Sequence, residues 1–139
     1  GVIMKRTLLA FSLPFLITAC ATQSVVTKTD LQHHHWNLVS IDGVKIDPDL
    51  NSDLEIGEHF TINGQAGCNR YFGEAELENG VLKATQLGNT MMACTESTQK
   101  VETPVLKTLI QGAKVINKGK KLTLQGEEHT LVYELADWM

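Results

Sequence analysis

Proline, cysteine and aromatic residues are all scarce in this 139-residue chain, which holds three Pro, three Cys, two Trp, two Tyr and four Phe. Three cysteines are too few for a disulfide-stapled mini-protein or a zinc site built of cysteine alone. Basic charge is also short: twelve Lys and Arg face sixteen Asp and Glu, for a net charge of −4. No positive field exists to hold a phosphate backbone, so nucleic acid is excluded as a partner. No apolar run approaches the roughly 20 residues of a membrane-spanning helix. No internal repeat, nucleophile elbow, phosphate loop or cofactor fingerprint is present, and no cofactor is expected. What remains is an ordinary globular balance, 42% hydrophobic and 20% charged, in a length that suits one domain.

The N-terminal stretch carries an address. Lys5 and Arg6 follow Met4, and an apolar run then extends to Ala19 and closes on Cys20. A positive start, a short apolar centre and small residues before a break form a secretory signal. Pro14 in the centre argues against a stable span. Ile17-Thr18-Ala19-Cys20 resembles the lipobox of bacterial lipoproteins, in which small residues admit a peptidase and a thiol accepts the diacylglyceryl group. The resemblance implies a signal peptide over 1–19, cleavage before Cys20, and lipid attachment at Cys20. A tether then runs over 20–32 and a folded domain over 33–139. Several acyl chains give a far firmer membrane hold than one. Ala21 stands where an Asp would imply inner-membrane retention, so an outer-membrane anchor on the periplasmic face is expected. Removal of residues 1–19 takes two bases and no acid, leaving ten bases against sixteen acids, a net charge of −6.

The body reads as a meander of strands with one helix. Trp36 to Ile41 alternates as a strand, and Asp42-Gly43 supplies a hairpin turn. Leu54 and Ile56 alternate with acids, and Phe60-Thr61-Ile62 follows. Glu74, Glu76 and Glu78 mark the wet face of a further strand, a row of like charges unsuited to acid–base catalysis. Asn79-Gly80 is a type I′ turn signal, with Val81 to Thr85 returning from it. Lys114–Lys118, Lys121–Gln125 and Thr130–Leu135 read as three more strands. Between Thr95 and Gly112 the period changes: Val101, Val105, Leu109 and Ala113, with Ile110 beside them, form one apolar helix stripe. Pro104 predicts a kink or a late helix start. The expected fold is mainly β (α+β): an antiparallel curled sheet or partly open barrel of seven or eight strands with one covering helix.

Several motifs resemble the META domain family. These are Trp36-x-Leu38, Gly67-Cys68-Asn69, Thr90-Met91-Met92-Ala93-Cys94, Leu122-Thr123-Leu124 and the closing run from Leu131 to Asp137. The resemblance covers nearly the whole mature chain and is closest to the family's heat-inducible lipoproteins. It implies a mainly β fold with one helix, secretion or surface anchoring, and no established enzymology. It also implies links to heat or envelope stress and to novobiocin tolerance.

Cys68 and Cys94 remain once Cys20 is lipidated, and in an oxidising compartment two leftover thiols tend to pair. Two buried reduced thiols are the alternative. A third reading makes Cys68 a nucleophile, with His59 or His129 as base, in a hydrolase or transferase. His33-His34-His35 places two imidazoles on one strand face, but with no further ligand nearby they read as surface histidines, and no metal is expected. Met91, Met92, Trp36, Phe60, Tyr71, Phe72 and Tyr133 read as core filler or the lining of a ligand cavity. The favoured function is therefore non-catalytic: a membrane-anchored module binding an envelope protein or small ligand. A lipocalin-like carrier of an apolar ligand is the rival, distinguished by an interior cavity of some 300 Å³ or more.

Overall fold

The computed structural model describes residues 25–137. The stretch 1–19 expected to be a signal peptide, Cys20 and Trp138-Met139 lie outside the described residues. Leu31, at the end of a single helical turn α1 (Lys28–Leu31), is fully buried. Thr27 and Asp30 hold that turn in a reciprocal capping box. The packed body thus reaches into the stretch 20–32 that the sequence reads as tether.

β1 (His34–Ile41) sends Trp36 and Leu38 into the core and Asn37 to solvent, the period of two that a half-buried strand needs. It is paired on both sides. One neighbour is β3 (Asp53–Ile56), with Trp36 opposite Leu54, and the other is β9 (Thr130–Leu135), with Leu38 opposite Tyr133. Because β9 is the last strand, this pairing joins the ends of the sheet. In between, antiparallel neighbours run through β4 (Thr61–Gln65), β5 (Arg70–Glu78), β6 (Val81–Asn89), β7 (Ala113–Lys118) and β8 (Lys121–Gln125). The result is a closed eight-stranded barrel, with the short β2 (Val44–Lys45) added outside the ring on β1. Closure removes the free edges on which strands of other chains would pair. The mainly β expectation holds, and closure goes beyond the open form allowed there.

The turns follow their chemistry. Asp42-Gly43 and Asn79-Gly80 both take positive φ at each residue, the type I′ requirement. Twelve large side chains, led by Trp36, Tyr71, Tyr133 and Phe60, are each under 2% exposed and occupy the interior. Phe60 lies in a short 3-10 segment (Glu58–Phe60) rather than a strand. β5 starts at Arg70, directly after the Gly67-Cys68-Asn69 motif, and β6 continues past Thr85 to Asn89.

β6 meets β7 at only two positions, Val81 with Lys114 and Leu82 with Ala113. The helix α2 (Glu96–Gln111) packs beside the rest of β6 and sends Val101, Val105 and Leu109 into the core, as their spacing predicts. Thr95 caps its start and Gly112, at φ +97°, its end. The helix begins at Glu96 and continues through Pro104, so there is no late start. Ile110 departs from the expected stripe and is 53% exposed. Glu102 and Thr108 occupy buried positions instead.

Candidate functional site

Two of the motifs, Gly67-Cys68-Asn69 and Thr90 to Cys94, converge at the end of the barrel formed by the β4–β5 turn and the segment from Thr90 to Thr95. Cys68 and Cys94 are joined in a disulfide with their Cα atoms 5.8 Å apart. The pairing expected from the leftover thiols fits this geometry. Gly67 lies against α2: a Cβ there would stand 2.5 Å from the Thr98 carbonyl oxygen and 2.8 Å from the Glu102 backbone nitrogen. Only glycine lets the turn come so close to the helix backbone.

That approach brings the turn onto Glu102, which the sequence reading did not single out. Its Oε1 accepts the backbone N–H of Cys68 (2.9 Å) and of Asn69 (2.6 Å). Its Oε2 accepts the Asn69 side-chain amide at 2.9 Å. Burial is the largest influence on this carboxyl and pushes its pKa up. The Asn69 side chain and the N–H groups of Asn69, Cys68 and Gly67 together outweigh it, holding the group below its ordinary value and ionised. Successive backbone N–H groups form a concave anion site, and here the anion is the chain's own carboxylate.

Asn69 carries the bonding onward. Its Nδ2 also donates to Cys94 Sγ at 3.3 Å, while its Oδ1 accepts Thr90 Oγ1 (2.9 Å) and the Met92 N–H (2.6 Å). Thr90 Oγ1 in turn accepts the Arg70 N–H at 3.1 Å. Gly67, Cys68, Asn69, Thr90 and Cys94 thus serve one knot that ties two loops to the helix. The only signal for Glu102 in the sequence is an acid beside Val101 on the apolar stripe.

Met91 and Met92 do not fill the core. They are 87% and 60% exposed, and Phe72 is 55% exposed with its ring over Gly88 of β6. The expectation that all three are core filler is corrected. The inward positions of β5 belong to Tyr71 and Ala75, which turns Phe72 outward, and the Asn69 bonds fix the 90–94 backbone across the end of the barrel. Exposed apolar side chains, Met91 and Met92 on the 90–94 segment and Phe72 on β5, thus accompany a polar knot whose groups are bonded to one another.

The chemistry available at the knot is narrow. The sulfur atoms of Cys68 and Cys94 and a Glu102 oxygen all lie within 4.8 Å of one another. The sulfurs are bonded to each other, so neither is a thiolate ligand or nucleophile. The Glu102 oxygens already accept three hydrogen bonds. This donor set does not suit a metal ion.

The histidines part company. His33 is exposed, and His34 Nδ1 bonds Asp137 Oδ2 at 2.8 Å. His35, read as a surface residue, is 6% exposed. Its two ring nitrogens face Asp53 Oδ2 (2.7 Å) and the Ala136 carbonyl (2.9 Å). Both partners are acceptors, so the ring satisfies them only as an imidazolium. Burial, the largest influence, lowers its pKa; the bonds to Asp53 and Ala136 outweigh burial and raise it. Of the two bases considered for Cys68, His129 bonds Asp42 at 2.7 Å in the β8–β9 turn, and His59 lies between β3 and β4.

Comparison with known proteins agrees with this architecture. The META domain model matches residues 29–138. Heat shock protein HslJ of Escherichia coli (strain K12) is 34% identical over 140 residues, covering 98% of this chain and 99% of the relative. A protein solved by NMR superposes with a TM-score of 0.73 at 37% identity, covering 83% of this chain and 99% of its own. A second NMR structure, from Burkholderia xenovorans, shares the fold with a TM-score of 0.65 at 22% identity, over 86% of this chain and 94% of its own. With nearly the whole folded body matched by the family model and by a full-length relative, the chain belongs to the META domain family.

Proposed function

We propose that this HslJ-like protein is a non-catalytic lipoprotein, anchored through Cys20 on the periplasmic face of the outer membrane. Its barrel presents the Phe72–Met91–Met92 face to an envelope partner, protein or small ligand. Its role lies in the heat-shock response that the name of the E. coli relative gives for that protein, and extends to envelope stress with novobiocin tolerance as one outcome. One observation carries this reading: the polar groups of the Gly67–Asn69 turn, Thr90 and Glu102 are bonded to each other, and Met91 and Met92 beside them are exposed. A reaction centre needs an unengaged nucleophile or base, whereas an exposed apolar patch marks an interaction site. Methionine suits such a face because it adapts to varied partners. The large side chains occupying the interior favour this module over the carrier.

Two measurements test the proposal. Intact mass of the protein from membrane fractions, before and after reduction, should show loss of residues 1–19, acyl mass on Cys20 and a two-hydrogen gain on reduction. Absence of acyl mass overturns the anchor. Replacing Phe72, Met91 and Met92 together by Ser should leave thermal stability close to the parent while abolishing complementation of a deletion strain under heat or novobiocin. Full complementation by that variant refutes the binding face.

A further inference from the structure

The outer wall of the barrel carries a groove of about 590 Å³, within the size range of small-molecule sites. Val39, Val132 and Leu135 form its apolar floor, and Lys118, Lys120 and Lys121 its rim. Val39 is the extra residue of a bulge between Leu38 and Ser40, where the β1–β9 register shifts, and it lines the groove. The lysines come from the tip of the β7–β8 hairpin. All three are exposed, and among the described residues none forms an ion pair. Among the described residues, Glu134, opposite Lys121, is the one carboxylate lining the groove.

The hairpin tip stands where the chain enters the barrel. The Leu135 N–H donates to the Lys120 carbonyl and the Ala136 N–H to the His35 carbonyl, at 2.7 and 2.8 Å. β1 begins at His34, separated from the end of α1 by two residues. Only the four residues 21–24 separate Cys20 from Val25, the first described residue, five Cα steps in all. That length spans about 15–18 Å even when extended. An anchor at Cys20 would therefore hold this end of the barrel beside the bilayer.

We infer that the Lys118–Lys120–Lys121 groove docks on the headgroup of an anionic phospholipid in the membrane that holds Cys20. The lysines take the phosphate and the apolar floor takes the glycerol and upper acyl segment. This inference rests on the anchored reading for its setting, but its chemistry does not require the acyl chains. The mature chain carries −6 and is repelled as a whole by an anionic surface. Screening confines charge effects to about 8 Å at physiological salt, so any preference for anionic lipid must come from a local patch such as this one. The bound orientation also leaves Met91 and Met92, at the opposite end of the barrel, facing away from the bilayer.

The test is flotation of the chain from Ala21 onward, which contains every residue of the closed barrel and its core. It is floated with phosphatidylglycerol or phosphatidylcholine vesicles at low and high salt. Association with phosphatidylglycerol alone, lost at high salt, is expected. Each lysine contributes roughly fivefold near such a surface, so K118Q/K120Q/K121Q should weaken association about a hundredfold. The triple Lys→Arg variant should keep it, and K83Q/K100Q should not change it. Millimolar inorganic phosphate or glycerol phosphate should not compete; effective competition would reassign the groove to a free phosphorylated ligand and overturn the membrane assignment. Equal flotation with both lipids, or an unaffected triple Gln variant, overturns the inference. A chain with acyl mass on Cys20 but no phosphatidylglycerol preference sinks this inference and spares the anchor. The opposite pair of results sinks the anchor alone.

Discussion

Replacing Glu102 by Gln is the sharpest test of the motif knot, because it preserves shape and changes one atom. In the parent, Oε2 accepts the Asn69 amide at 2.9 Å and Oε1 accepts two backbone N–H groups. Glutamine can keep its oxygen on the backbone pair, but its NH2 then faces the NH2 of Asn69. Asn69 cannot turn over to help, since its own oxygen is held by Thr90 and the Met92 N–H. One charge-assisted bond is lost and two buried donors oppose each other, which costs about 2–3 kcal/mol. For a domain of this size that lowers Tm by roughly 8–12 °C. Glu102→Ala strands all three donors and should cost about 4 kcal/mol. Thermal unfolding followed by far-UV circular dichroism at neutral pH measures both. The pH dependence supplies a second readout. The folded carboxyl titrates below its ordinary value of 4.5, so its contribution is complete above that value and disappears as pH falls through the lower folded pKa. The Gln variant should lack this acid-side loss. A Gln variant that melts with the parent, with an unchanged acid limb, would refute the idea that this carboxylate organises the site.

Other expected outcomes follow from the same geometry. Gly67→Ala should cost about 3 kcal/mol, because the new methyl group meets two helix backbone atoms that cannot yield; differential scanning calorimetry would measure it. Replacing Cys68 and Cys94 by Ala should lower unfolding stability by about 3–4 kcal/mol from loop entropy, read as a shift in the guanidinium midpoint. The oxidised parent should yield no label with a thiol reagent until it is reduced. His35 has a raised pKa when folded, so its contribution is complete below its ordinary value of 6.5 and fades as pH rises through the higher folded value. Stability of the parent should therefore decline as pH rises above 6.5, and His35→Gln should flatten that limb in a Tm–pH series.

The strand and helix framework was legible in the chain for a physical reason: hydrophobic period and turn chemistry are local. Asn79-Gly80 turns wherever it sits between strands, and Val101, Val105 and Leu109 lie on one helix face whatever they pack against. Two cysteines left over in a chain read as secreted likewise carry their own expectation. Phe72, Met91 and Met92 misled because apolar character says nothing about which side of a wall a residue faces; the register of β5 and the bonds of Asn69 settle that. His35 misled for the converse reason, since a polar ring is buried only when distant partners such as Asp53 and Ala136 arrive to satisfy it.

Residue order along the chain was thus enough for the element types, the turns, the family motifs and the two thiols left to pair. Closure of the barrel, the capture of Glu102 by the Gly67–Asn69 turn, and the lysine-rimmed groove were settled only by folding. Each depends on contacts between segments far apart in the chain, from the β1–β9 pairing to the 33 residues separating Asn69 from Glu102. Such contacts leave no periodic trace, because their energy comes from partners that only the tertiary structure brings together.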